Sequence, residues 1–292
     1  MKSIGSVKED PVLEKRVSIT PETVKKFTSI NISVLIEKKY AEHLGISDEE
    51  YKNNGAVIYN SAKEVFEKAE IILRVNCPKS SEINLIKDSS ILIGQFDPLL
   101  DKEIINKLIK KKINIFSLNL LPRITRAQSM DVLSSQANLA GYKAVIDSVS
   151  EFEKAIPMMM TAAGTVTPAK VLVIGAGVAG LQAIATAKRL GGIVSATDVR
   201  VVAKEQVESL GGKFLSVEGE ENLETKGGYA KEVGEDFKKK QEELLKNSIK
   251  KHDIVICTAL IPGKKAPKII SEDMVKSMKP GSIIYDLAVG QG

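Results

Sequence analysis

The sequence predicts an α/β protein made of two doubly wound, parallel-sheet lobes. Three observations carry this. Short β-branched apolar runs alternate with helix-length segments along most of the chain, the pattern of strands joined by crossover helices. At 292 residues the chain exceeds one ordinary domain, and a hydrophobic content of 43% is enough for two packed cores. One stretch, Val171 to Arg200, holds a complete strand–turn–helix–strand unit that ends in an acid and an arginine.

The first lobe reads in order. Ile4–Val7 is a strand. In EKRVSITPETVKKF, Thr20 is placed to cap a helix, with Pro21 as its first residue and Glu22 in its first turn. Ile32–Ile36 is a strand, Ser61 caps a helix that reaches Lys68, and Ile71–Val75 is a strand that stops near Pro78. A helix from Pro98 to Lys111 lies between strands Ile91–Phe96 and Ile113–Leu118. No glycine fingerprint occurs here, so this lobe is not expected to hold a dinucleotide by itself. The later portion of Arg123–Ala155 reads as a long helix joining the lobes, and Met158–Met160 are expected to pack at their junction.

The second lobe opens with the unit that organises the chain. Val171–Ile174 is a buried strand, and Gly175, Gly177 and Gly180 follow in G-x-G-x-x-G spacing. Gly175 allows the tight turn, Gly177 lets backbone approach a pyrophosphate, and Gly180 lets helix pack on strand. The helix Leu181–Leu190 presents N–H groups and partial positive charge to a diphosphate. Gly191-Gly192 ends it, Ile193–Thr197 is the second strand, and Asp198 stands at the strand end. A carboxylate there accepts adenine-ribose hydroxyls and repels a 2′-phosphate, which favours NAD over NADP; Arg200 is the counter-argument. A βαβ unit that binds nothing remains the plain alternative for a glycine triplet. Beyond it come a helix Ala203–Leu210, a strand Lys213–Val217, a charged loop Glu218–Gly228 and a charged helix Lys231–Lys251. A strand Asp253–Thr258, a loop TALIPGKKAP, a helix Ser271–Met278 and a strand Ser282–Leu287 complete the lobe. The expected division is 1–125 for the first Rossmann-like lobe, 126–160 for the connecting loop and helix, and 161–292 for the second. A mobile loop is expected near 218–232, and the dinucleotide in the cleft between the lobes.

Composition narrows the partners. The 42 basic and 37 acidic residues leave a mild net charge of +5 spread along the chain, with no arginine-rich or aromatic-interleaved tract to suggest nucleic acid. Two cysteines, Cys77 and Cys257, sit in apolar runs and read as buried free thiols in a reducing compartment. Two histidines, His43 and His252, offer no zinc cluster. The longest uncharged runs, Ala155–Ala169 and Val171–Ala187, are parted by Lys170 and broken by proline and glycine, so no transmembrane segment is expected. The opening MKSIGSVKED has no signal-peptide hydrophobic region.

Long runs carry a resemblance well beyond the glycine motif: PRITRAQSMDVLSSQANLAGYKAV, PMMMTAAGTVTPAKVLVIGAGVAGLQAIATAKRLG, ATDVR, AKEQVESLGGKF, GYAKE, TALIPG and MVKSMKPGSIIYDLAV. The chain closely resembles the NAD(H)-binding domain I of the proton-translocating NAD(P) transhydrogenase α subunit, with the alanine dehydrogenases as more distant relatives. The resemblance implies a homodimer outside the membrane that passes hydride between NAD(H) and NADP(H) held on a separate domain III. A membrane domain couples that transfer to proton movement. It assigns Arg123, Gln128, Asp131 and Ser134 to a loop that orders the nicotinamide, and Val178, Asp198, Val199 and Arg200 to fingerprint and ribose contacts. Gly228 and Tyr229 match a mobile loop that closes over the nucleotide, and Gln241 and Leu260 match further nucleotide contacts. The end departs from the family: DLAVGQG stands where DLAVEQGGN is usual, with Gly290 for the acid. The chain is expected to lack the segment that completes the first lobe in relatives. Val201-Val202 also replaces a common proline-alanine.

Hydride transfer between two nicotinamides needs near contact and no water, whereas oxidising an alcohol or amine also needs an acid or base. The alanine dehydrogenases place a lysine after the strand equivalent to IILRVNCP and a histidine after the next; here those regions read Asn76 and Gln95-Phe96. Arg16 does resemble their substrate arginine, with a structural ion pair as the other reading. The spacing of Gln128, Asp131 and Ser134 puts these three near one helical face, Arg123 and Asp131 can pair, and Gln128 can hold a carboxamide. A capped interdomain helix is the alternative. Tyr229, with its glycine neighbours, suits a closing lid.

Overall fold

The computed structural model describes residues 2–97, 101–122, 124–200, 202–217, 234–259 and 265–291. The chain divides into two compact units, Met1–Val132 and Leu133–Gly292.

Unit 1 runs β1 (Ser3–Ser6), α1 (Pro21–Ser29), β2 (Ser33–Glu37), α2 (Asp48–Asn53), β3 (Ala56–Tyr59), α3 (Ala62–Lys68), β4 (Ile71–Leu73), β5 (Ile91–Gly94), α4 (Lys102–Lys110) and β6 (Asn114–Ser117). The strands form one parallel sheet in the order β3-β2-β1-β4-β5-β6, the doubly wound arrangement. Helix starts are set by local chemistry. Thr20 accepts from the Thr23 N–H, and Ser47/Glu50 and Ser61/Glu64 form reciprocal capping boxes. Each sheet face has its own core. One gathers Val65, Phe66, Ile72, Leu92, Phe96 and Leu108; the other gathers Ile19, Val24, Val34, Ile36, Tyr40 and Tyr51. Each such fully buried apolar side chain adds roughly 1.5–3 kcal/mol. Two elements go beyond the expectation: β3, a short edge strand with Val57 turned to solvent, and α2 before it. Cys77 lies past the end of β4 and is only half-buried, not in a strand; burial still pushes its thiol up to about 12.

Unit 2 runs α5 (Val132–Glu151), β7 (Met159–Thr161), β8 (Gly164–Val166), β9 (Lys170–Ile174), α6 (Val178–Arg189), β10 (Ile193–Thr197), α7 (Ala203–Ser209), β11 (Lys213–Phe214), α8 (Glu235–Ile249), β12 (Ile254–Cys257), α9 (Glu272–Lys276) and β13 (Ile283–Asp286). Its main sheet is parallel in the order β11-β10-β9-β12-β13. The observed fold class is the expected one, α/β with two parallel, Rossmann-like sheets. Val171, Val173 and Ile254 face a core shared with Ala144 and Val145 of α5 and with Ala183 and Ile184 of α6. Leu172, Ile174 and Val255 face the opposite core, shared with Leu245 and Ile249 of α8 and Met274 of α9. The all-apolar strands thus bury both faces. α5 is a layer of this unit: Tyr285 on β13 donates to Asp147 at 3.0 Å, and Asp147 also pairs with Lys143.

The three methionines correct an expectation. Met158, Met159 and Met160 are 60%, 43% and 81% exposed. Among the described residues β7 and β8 pair only with each other, as an antiparallel ribbon too short to cover its own side chains. Among the described residues no helix is long and apolar enough to cross a membrane.

Candidate functional site

The glycine turn joins β9 to α6 at the carboxyl edge of the unit 2 sheet, where doubly wound folds bind ligands. Its three glycines answer to three different constraints. Gly175 has φ +95°, a left-handed conformation, and a Cβ there would meet the Thr258 hydroxyl at 2.7 Å. Gly180 presses on the turn itself: a Cβ would stand 1.9 Å from the Gly175 carbonyl oxygen. Gly177 has an ordinary φ of −75°, and a Cβ on it would meet nothing within 4 Å. The fold therefore demands the first and third glycines, while the second leaves backbone open to a ligand. Gly177 also caps α6 with no side-chain hydrogen bond, so the first-turn N–H groups have no side-chain cap. An open backbone, a bare helix start and an adjacent acid form a donor and acceptor set that fits a dinucleotide.

Asp198 lies just past β10, its side chain only 7% exposed. It accepts the Ala176 N–H at 2.7 Å, which ties the strand-end acid to the middle of the glycine turn. Arg200 turns back on it, Nε donating to Oδ1 at 2.9 Å and a terminal nitrogen to Oδ2 at 2.8 Å. The Arg200 N–H adds a bond to Oδ1 at 2.9 Å. So the structure brings together Gly175, Gly177, Gly180, Asp198 and Arg200. Val178, the first residue of α6, is exposed beside the turn, and Val199 is half-buried between Asp198 and Arg200.

Sequence reasoning missed Thr258. It follows β12, which pairs in parallel with β9, and its hydroxyl donates to the Gly175 carbonyl at 2.8 Å. No local pattern marks it, because the β9–β12 pairing alone delivers it to the turn. Gly141 is a second such residue: a Cβ there would stand 2.0 Å from the Ala179 carbonyl oxygen, so α5 lies directly against the start of α6.

Other expected residues are spread further. Gln241 is half-buried on α8, one turn before Leu245, which packs under β9 and β12. Gln128 is exposed in a 3-10 turn, Thr125–Met130; Asp131 follows with a non-helical ψ of 82°; Ser134 is in the first turn of α5. The expected single helical face through these three is therefore not formed, because the backbone breaks at Asp131. Arg123, Gly228, Tyr229 and Leu260 lie outside the described residues.

Unit 1 settles Arg16 into an ion pair. Its Nε and a terminal nitrogen grip Glu14 at 2.8 and 2.7 Å, and Asn76 donates to the same carboxylate at 3.3 Å. The Arg16 hydrogen bonds, foremost, hold the Glu14 carboxyl below its ordinary value. The neighbouring pocket, about 360 Å³, is lined by Glu9, Asp10, Leu13, Glu14, Arg74, Asn76, Cys77 and Lys79.

A doubly wound parallel sheet whose first crossover carries a glycine turn tied to a strand-end acid defines the dinucleotide-binding class of α/β proteins. The N-terminal domain of the alanine dehydrogenase/PNT family matches residues 5–140, and its C-terminal domain matches residues 144–292. The chain belongs to the alanine dehydrogenase/PNT family. It is 52% identical over 286 residues to an NAD(P) transhydrogenase subunit alpha chain of Rhodospirillum rubrum, covering 96% of this chain and 74% of that relative. It is 32% identical to the alanine dehydrogenase of Methanococcus maripaludis, covering 99% of this chain and 72% of that one. The crystal structure of transhydrogenase from Sinorhizobium meliloti superposes with a TM-score of 0.87 at 45% identity, covering 100% of this chain and 80% of that one.

Proposed function

We propose that the chain is the NAD(H)-binding component of a Si-specific, proton-translocating NAD(P) transhydrogenase. The observation that carries this is the 52% identity across 96% of the chain to a transhydrogenase α subunit, against 32% to an alanine dehydrogenase. The glycine turn supports it chemically. Gly177 admits a pyrophosphate, the start of α6 presents N–H groups to it, and Asp198 receives the adenine ribose. Val178, Val199, Gln241 and Leu260 are assigned to further nucleotide contacts. The resemblance supports nicotinamide-ordering roles for Arg123, Gln128, Asp131 and Ser134, and a closing role for Gly228 and Tyr229. The nicotinamide carries the hydride; the residues have only to position it and keep water away, which needs no acid–base pair.

In this reading the chain works as a homodimer on the cytoplasmic face of the inner membrane. Its partners are an NADP(H)-binding domain III and a membrane domain that couples transfer to proton movement. The division into lobes 1–125 and 161–292, with a connecting segment 126–160, belongs to the same reading. The alternatives are an NAD-dependent amino-acid dehydrogenase, supported by the 32% identity to an alanine dehydrogenase, and a non-catalytic NAD-binding module.

One assay separates them. The protein is mixed with NADH, an oxidised NAD analogue and a separately made domain III loaded with NADP. Reduction of the analogue only when domain III is present is the expected result. Reduction of NAD by alanine without any partner would instead establish the dehydrogenase.

A further inference from the structure

Asp198 and Arg200 form a closed pair at the point where the two dinucleotides differ. A carboxylate offers about four acceptor positions. Here two go to the N–H groups of Ala176 and Arg200, and two to the Arg200 guanidinium. The Arg200 side chain is 18% exposed in this position, so the pair is largely shielded from water and from salt. An arginine fork is the preferred partner of a phosphate and grips it at two points. Arg200 is thus a latent 2′-phosphate contact, already spent on a carboxylate two residues away.

We propose that Asp198 also selects NAD(H) by sequestering Arg200, in addition to the repulsion of a 2′-phosphate that any strand-end acid supplies. The inference rests on the nucleotide reading above and adds a positioning role for the Asp198–Arg200 pair. A ribose diol can replace the guanidinium on Asp198, because hydroxyls donate to the same oxygens. A 2′-phosphate has no donor to offer the acid, so Arg200 must leave Asp198 uncompensated to reach it. That is the costly half of a buried pair.

The test is a double-mutant cycle read by direct titration with NADH and NADPH. Asp198→Asn keeps an acceptor for the Ala176 N–H and removes the charge that holds Arg200. In that background NADPH affinity should rise, and adding Arg200→Gln should cost it at least about tenfold, the scale of one charge-assisted contact. Arg200→Gln alone should change NADPH affinity by no more than about twofold, because the arginine is not yet spent on phosphate. NADH titrations and thermal melts of all four proteins show that each variant is folded. Equal effects of Arg200→Gln on NADPH in both backgrounds, or no effect in either, would overturn the sequestering role while leaving NADH binding intact. Loss of NADH binding by the unsubstituted protein would instead remove the nucleotide reading and this inference with it.

Discussion

In unit 1 the loop leaving the first strand carries Lys8, Glu9 and Asp10; in unit 2 the equivalent loop carries Gly175, Ala176 and Gly177. The second strand of each sheet ends near an acid that accepts a backbone N–H from that loop. Glu37 takes the Lys8 N–H at 2.8 Å, and Asp198 takes the Ala176 N–H at 2.7 Å. The strand order around both loops is the same. What differs is the filling. Glu9 reaches across to Arg74 at 2.9 and 3.1 Å and to the Val75 N–H at 2.8 Å, and Arg74 also meets Glu82. Burial opposes the Arg74 charge, but the Glu9 and Glu82 carboxylates outweigh it and hold its pKa above the ordinary value. Unit 1 thus lines its crevice with charged side chains bonded to one another, and unit 2 keeps side chains out with glycine. One doubly wound plan yields an edge of paired charges or an edge of open backbone, according to a few loop residues.

The contrast can be broken at its strongest point first. Removing Glu9 strips Arg74 of one of its two carboxylates, leaving only Glu82, and takes the partner from the Val75 N–H. The side chains of Arg74 and Glu9 are only 3% and 5% exposed, so Glu9→Ala should cost about 3–5 kcal/mol of unfolding free energy, measured by urea titration. A cost below about 1 kcal/mol would mean that the cluster is replaceable filling. Next, Gly180→Ala and Gly177→Ala sharpen the division of labour within the turn. Gly180→Ala drives a methyl against the Gly175 carbonyl and should cost about 3 kcal/mol. Gly177→Ala should stay within about 0.5 kcal/mol in stability yet lower NADH affinity at least about tenfold. Equal stability losses would erase the distinction between a glycine for the fold and a glycine for the ligand.

The smallest effect is a difference in pH response. Buried His252 donates from Nδ1 to the Ser248 carbonyl at 2.8 Å, and burial, foremost, holds its pKa below the ordinary 6.5. As pH falls through 6.5, the unfolded chain takes up a proton that the folded chain refuses, so stability declines until the folded pKa is passed. The unit 1 acids Glu14 and Asp10 behave differently. Their lowered pKa values give stability that is present above their ordinary 4.5 and 3.8 and is lost only below them. Denaturation midpoints between pH 7.5 and 5 should therefore fall in the parent protein and fall less in His252→Gln. Identical slopes would remove His252 from the account.

The turn in unit 2 was legible because its chemistry is local. Strand, glycines, helix and acid fall within 30 residues, from Val171 to Arg200. The caps at Thr20 and Ser61 were legible for the same reason. The box Ser47–Glu50 was present in the sequence but unread, and β3 escaped because its four residues are short and partly exposed. Thr258 and Gly141 act only through tertiary neighbours, the β9–β12 ladder and the α5–α6 contact, so no spacing reveals them. The Gln128–Ser134 face failed because periodicity assumes a continuous helix, and Asp131 interrupts it.

The hydroxyl of Thr258 and the carbonyl it secures are 83 residues apart. A contact of that span has an order of assembly. As the chain is synthesised, β9, the glycine turn and α6 emerge first, while the strand that carries their fastener follows only after α7, β11 and α8. Until then Gly175 keeps its turn without its lock, and closing so long a loop is the slow part of building a parallel sheet. The finished geometry of the glycine turn is therefore a late property of a nascent chain, acquired on arrival of β12 rather than on completion of the motif itself.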